Sequence, residues 1–149
     1  MADNIDWSFI SALEGGQKLR GYVPVGRRSG HRSGATIATG FDIGQYALPQ
    51  LRGMFGQGDL FDLLAQYAGL RLQQAVQALK ARPLIVTRAQ ADRIDRVAKA
   101  EVVGTLIQRY DMEVARKRCF AHEAHLVDFV SLPKEAATII ASVAFQYGP

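Results

Sequence analysis

Glu14, Thr36 and Asp42 are the residues of this sequence whose types and spacing could do chemistry. Glu14 falls at the C-terminal end of a short predicted helix, just before Gly15-Gly16. A carboxylate there meets the negative end of the helix dipole. Partial burial against the neighbouring apolar residues pushes the same way, and both favour the protonated form that a glycosidase general acid requires. A solvated glutamate at a helix end fits the same residues. Asp42 stands six positions after Thr36. If 36–42 is extended, that even spacing puts both side chains on one face. A carboxylate and a hydroxyl placed there, opposite a second carboxyl, could hold and activate a water. Asp42 opening the run Asp-Ile-Gly is equally what a turn cap looks like.

The elements that must position these residues follow from periodicity. Ile5, Phe9 and Leu13 form the apolar stripe of a first helix, capped by Asp3 or Asn4 and ended by the glycine pair. Nine of the 14 glycines then lie between Gly21 and Gly58, a stretch that reads as short strands and turns. Within it, Gly26-Arg-Arg-Ser-Gly-His-Arg-Ser-Gly34 is a basic loop, and Thr36-Ile-Ala-Thr-Gly-Phe41 is the strand leaving it. Phe61, Leu64, Ala68, Leu72, Val76 and Leu79 predict one helix from Leu60 to Lys80, stopped by Pro83. Thr87-Arg-Ala-Gln90 is a capping box, opening a helix that turns Ala91, Ile94, Ala98, Val102 and Leu106 inward. A less regular stretch with Cys119 follows. Pro133 then begins a helix apolar nearly all round, expected to be the central one. The fold class expected is α+β: a glycine-rich β lobe over 16–58 and a helical lobe over 1–15 and 59–149, one domain with a cleft between lobes.

Taken together, Glu14-Gly-Gly, Leu19-Arg-Gly-Tyr22, Ser33-Gly-Ala-Thr36-Ile-Ala-Thr-Gly-Phe41-Asp-Ile-Gly44 and Val143-Ala-Phe-Gln146-Tyr-Gly148 resemble the phage-type lysozymes. The nearer likeness is to the pesticin-like muramidases among bacteriocins, phage endolysins and secreted antibacterial effectors. It spans residues 5 to 148, with its specific motifs on about 30 positions. The resemblance implies a lysozyme-like fold of the phage type and hydrolysis of the β-1,4 bond between N-acetylmuramic acid and N-acetylglucosamine. By that resemblance Glu14 matches the general acid and Thr36 the threonine that positions the water. Asp42 matches the aspartate that the pesticin-like branch places after the strand. The turn before Thr36, which carries the aspartate of the T-even enzymes, has no acid here. Gln146 matches a glutamine facing the sugar cleft. Ala38 departs from a position where many relatives have glycine. The resemblance leans towards inversion, for which the two carboxyls stand about 6.5–9.5 Å apart rather than about 5–5.5 Å.

Composition narrows the rest. The chain has 149 residues, 18 basic and 14 acidic side chains, and a formal charge of +4, which suits an anionic polymer. No apolar run reaches the length of a membrane helix, and one cysteine permits no internal disulfide. The start Met1-Ala-Asp-Asn-Ile-Asp-Trp7 lacks the basic and apolar regions of a signal peptide. The protein is therefore expected to be made in the cytoplasm and to act in the periplasm or on the cell wall after lysis, release or specialised secretion. Its expected partners are the peptidoglycan glycan strand, touched by Tyr22, Gln146, Arg27 and Arg32, and an immunity or inhibitor protein. The phage-type relatives continue for several helices after Phe-Gln-x-Gly, and without such cover Ile139, Ile140 and Val143 would be left partly bare; the expectation is that the helices rearrange here, or that a missing C-terminal segment or another chain supplies the cover. No cofactor and no metal are expected. His122-Glu-Ala-His125 lacks a third ligand, and the basic loop lacks the Gly-Lys-Ser/Thr of a phosphate loop. No nucleic-acid partner follows from the resemblance. The readings in competition are a catalytically idle wall-binding or assembly relative, and a basic nucleic-acid-binding module using the Arg27–Arg32 loop.

Overall fold

The structure is a computed structural model that describes residues 4–13, 15–24, 33–120 and 125–147. The order of elements is α1 (Trp7–Leu13), β1 (Lys18–Tyr22), β2 (Thr36–Ala38), β3 (Phe41–Asp42), α2 (Leu48–Phe55), α3 (Asp59–Ala65), α4 (Leu72–Ala81), α5 (Arg88–Phe120) and α6 (Lys134–Tyr147). It is the expected α+β arrangement, helices with, among the described residues, one small antiparallel sheet ordered β1-β2-β3. Two compact units form, one within residues 14–97 and one from 1–13 with 98–149, so the boundary falls inside α5.

In the 14–97 unit the β1 edge is continued by the segment after α4, where Gly21 N donates to Leu84 O at 2.8 Å and Val86 N to Leu19 O at 3.0 Å. Ile37, Ile43, Leu51, Leu64, Leu84 and Ile94 are fully buried. Phe41 packs edge-on against Phe55, with ring centroids 5.7 Å apart. Helix α2 was not expected in the glycine-rich stretch. It forms because Pro49 suits a first turn and because the Gln50 side chain accepts from Ala47 N at 2.8 Å.

The single helix expected from Leu60 to Lys80 is two helices, α3 and α4. Gly69 takes a left-handed φ of 68° between them. The Tyr67 ring is buried there, and its hydroxyl donates to Arg82 O at 2.6 Å. Leu72 N leaves the helical pattern to donate to Ser33 O at 2.9 Å. Pairing with the sheet region outweighs the helical period. The Thr87 capping box forms as expected: Gln90 N donates to Thr87 Oγ1 at 3.2 Å, and Thr87 N to Gln90 Oε1 at 2.9 Å. The helix it opens runs 33 residues, past the stretch expected to be irregular, and carries Cys119 exposed near its end.

In the other unit, Ile5, Ile10, Val103, Leu106, Phe129, Ala137, Ala141 and Ala144 make the core. The first-helix stripe is corrected: Ile10 is buried, whereas Phe9 and Leu13 are exposed. The cap is Asp6, which accepts from Phe9 N at 3.0 Å, and Asn4 instead donates to Phe129 O and Leu132 O. Ile5 therefore precedes the helix and does not set its buried face, which is the one that carries Ile10. Helix α6 is likewise buried on one side only. Its alanine stripe faces the core, while Ile139 and Val143 are 61% and 51% exposed.

Candidate active site

Thr36 and Asp42 do not lie on one extended strand. The chain turns at Thr39-Gly40, so β2 and β3 form a hairpin in which Thr36 pairs directly with Asp42. Across the other edge of β2, Thr36 pairs with Tyr22. Directly opposed residues project from the same face of a sheet. The three therefore stand in one row, Tyr22–Thr36–Asp42. The shared face expected from even spacing is present, reached by pairing rather than by extension. Thr36 is buried, Asp42 half-buried and Tyr22 exposed.

The Asp42 carboxylate is held by three donors. Its Oδ1 accepts from Gly34 N at 3.0 Å and Gly44 N at 3.0 Å. Its Oδ2 accepts from Gly34 N at 3.1 Å and from the exposed Gln45 Nε2 at 3.1 Å. Asp42 is thus a true cap of the 3₁₀ turn Ile43–Gln45, as the Asp-Ile-Gly reading allowed. The cradle exists because both flanking residues lack side chains. A Cβ on Gly34 would stand 2.4 Å from Leu70 O and 2.6 Å from Gly44 Cα, and one on Gly44 would stand 2.3 Å from Leu70 O. Arg71 Nε donates to Gly44 O at 3.2 Å and closes the packing from the α3–α4 connection. The buried Thr36 hydroxyl donates to Gly34 O at 3.3 Å, so one glycine residue contacts both candidate side chains, Asp42 through its N–H and Thr36 through its carbonyl. Ala38, buried in the same hairpin, has a φ of 53°, a region that favours glycine. That is the position at which the sequence departs from the glycine the resemblance leads one to expect.

Tyr22 borders a groove of about 420 Å³ that Arg20, Leu79, Lys80 and Pro83 also line. Glu14, Arg27, Arg32 and His122 lie outside the described residues, as does the side chain of Gln146. Among the described residues no three His, Cys, Asp or Glu side chains group to hold a metal ion. No helix among them is long and apolar enough to cross a membrane.

One group of residues at this hairpin was missed from sequence. Asp95, on the first turns of α5, accepts from Thr39 N at 2.9 Å and from Thr39 Oγ1 at 2.7 Å. Gln17 Nε2 donates to Asp95 at 2.8 Å and to Asp92 at 2.9 Å, while Gln17 Oε1 accepts from Arg88 at 3.0 Å. The only sequence signal was that Asp92 and Asp95 share a helix face at i, i+3, which ordinarily marks a solvated surface.

A family model described as pesticin, bacterial toxin homologue of phage lysozyme, C-terminal part, matches residues 4–149. The chain belongs to the pesticin family. No curated protein sequence matches it. Membership in a family of phage lysozyme homologues supports peptidoglycan hydrolysis of the muramidase type, with peptidoglycan as the substrate. In this pesticin-family chain the β hairpin is the described element that brings candidate catalytic side chains together.

Proposed function

We propose that the protein cleaves the β-1,4 bond between N-acetylmuramic acid and N-acetylglucosamine, with Glu14 as general acid and Asp42, assisted by Thr36, activating the water. The observation that carries this reading is the direct pairing of Thr36 with Asp42 on one sheet face. Asp42 accepts a proton from the attacking water as the glycosidic oxygen takes one from Glu14. The backbone donors of Gly34 and Gly44 fix Asp42's orientation, and a water can take the place of the exposed Gln45 amide on Oδ2. Thr36 Oγ1 spends its proton on Gly34 O and keeps lone pairs to accept from that water. Tyr22 stacks on a sugar beside the row, and Gln146, Arg27 and Arg32 contact the strand. The protein reaches the wall by lysis, release or dedicated secretion.

The test is clearing of permeabilised Gram-negative cells and mass spectrometry of the released fragments, wild type beside Glu14→Gln and Asp42→Asn. Reducing muramic-acid ends from the wild type, with clearing lost in both variants, are expected. Full activity in folded Glu14→Gln would overturn the reading, and anhydro ends would replace hydrolysis with transglycosylation. A folded wild type that binds sacculi without cleaving them would instead favour an idle wall-binding relative, in which Asp42 serves only as a cap.

A further inference from the structure

We infer that Asp95 is a positioning residue for the Thr36–Asp42 hairpin and couples it to the chain that leaves Glu14; this rests on the function proposed above. Two observations meet at this carboxylate. The first is strain at the hairpin. Ala38 holds a left-handed φ of 53° although it is fully buried, and such backbone persists only where its surroundings over-determine it. The next residue, Thr39, supplies the hold: both its backbone N–H and its hydroxyl donate to Asp95. The turn that sets the Thr36–Asp42 register is thereby tied to α5, 56 positions along the chain.

The second observation is the shared partner. Asp95 Oδ2 also accepts from Gln17, and Gln17 lies three residues after Glu14 in the sequence. Arg88 and Asp92 bind the two ends of the same Gln17 amide, so its orientation is fixed from both sides. One aspartate on α5 thus grips the hairpin that carries the water-activating pair and the strand entry that follows the general acid. Asp95 touches neither substrate nor the reacting atoms. It acts by keeping the hairpin in register, where a displacement of about 1 Å costs on the order of 100-fold in rate.

The experiment compares full-length wild type, Asp95→Ala and Asp95→Asn in steady-state hydrolysis of peptidoglycan, at matched folded fraction. Arg93→Ala is the control, since it loses a bond to Phe55 O from the same helix without touching the hairpin. Asp95→Ala is expected to lower kcat about 100-fold with KM within about twofold, and Asp95→Asn, which keeps an acceptor for Thr39 N, to lose only about tenfold. Arg93→Ala keeps the wild-type kcat. Amide hydrogen exchange in the same proteins supplies a readout independent of turnover. Gly34 and Gly44 should exchange faster in Asp95→Ala and remain protected in Arg93→Ala. A kcat in Asp95→Ala no lower than in Arg93→Ala overturns the inference, as does unchanged protection of Gly34 and Gly44. A wild type that cleaves nothing overturns the proposed function alone, and the exchange comparison then decides the role of Asp95.

Discussion

A Cβ added at Gly34 or Gly44 would meet the Leu70 carbonyl oxygen at under 2.5 Å, and a backbone atom cannot swing aside as a side-chain end can. Gly34→Ala is therefore expected to destabilise the protein by about 3 kcal/mol, the upper end for overpacking. Because Gly34 N supplies bonds to both Asp42 oxygens, clearing activity should fall further than the loss of folded protein explains. Denaturant unfolding beside a turbidity assay reads both quantities, and an alanine variant with wild-type stability would show that the cradle is looser than these distances require. At this scale the residue types were legible. Thr36 and Asp42 stood out by chemistry and even spacing, and their shared face is found. The way they come to share it was not legible, because the turn at Thr39 depends on a carboxylate far along the chain, and spacing carries no trace of such a bond. The capping of the 3₁₀ turn by Asp42 was readable, since Asp-Ile-Gly signals it locally.

The capping box is an element written into the sequence by local chemistry, and it holds. Thr87 and Gln90 bond each other's backbone N–H groups, and Thr87→Ala should cost about 1 kcal/mol, read as a shifted denaturation midpoint. Where a tertiary contact competes, period fails. Leu64, Ala68 and Leu72 keep the spacing of one helix, yet the chain breaks so that Leu72 can reach Ser33 and Tyr67 can reach Arg82. Tyr67 makes that break testable. Its burial raises the phenol above its ordinary pKa, so the phenolate is disfavoured in the folded state. A group with a raised folded pKa contributes stability that is complete below its unfolded value, about 10 for tyrosine, and is lost as pH rises through the folded one. Tyr67→Phe should cost about 1 kcal/mol at neutral pH through the unpaired Arg82 carbonyl. It should also flatten the loss of stability above about pH 10. Melting curves from neutral to alkaline pH check both, and equal alkaline slopes in the two proteins would remove Tyr67 as the titrating group. Helix α6 keeps its period unbroken, with the small alanines packed inward and the branched Ile139 and Val143 outside.

For the whole molecule, the quantity that bears on function is charge. The chain carries 18 basic and 14 acidic side chains, and a net +4 on a protein of this size draws it towards an anionic polymer. Peptidoglycan presents carboxylates along its peptide stems, so the field acts on encounter and on retention at the wall rather than on bond cleavage. Salt separates these effects, because it shortens the screening length from about 10 Å at 0.1 M to about 3 Å at 1 M. Across that range KM for intact sacculi should rise about tenfold while kcat holds. The groove beside Tyr22 gives the effect a local address, since Arg20 and Lys80 both line it. Arg20→Gln with Lys80→Gln should therefore raise KM at low salt and reduce the further rise on adding salt. Hydrolysis of sacculi whose stem carboxyls have been amidated supplies the comparison: it should change little with salt, because few carboxylates remain to attract the protein. An equal salt dependence on both substrates would place the effect of ions on the folded enzyme itself, and charge would then have no part in choosing the wall.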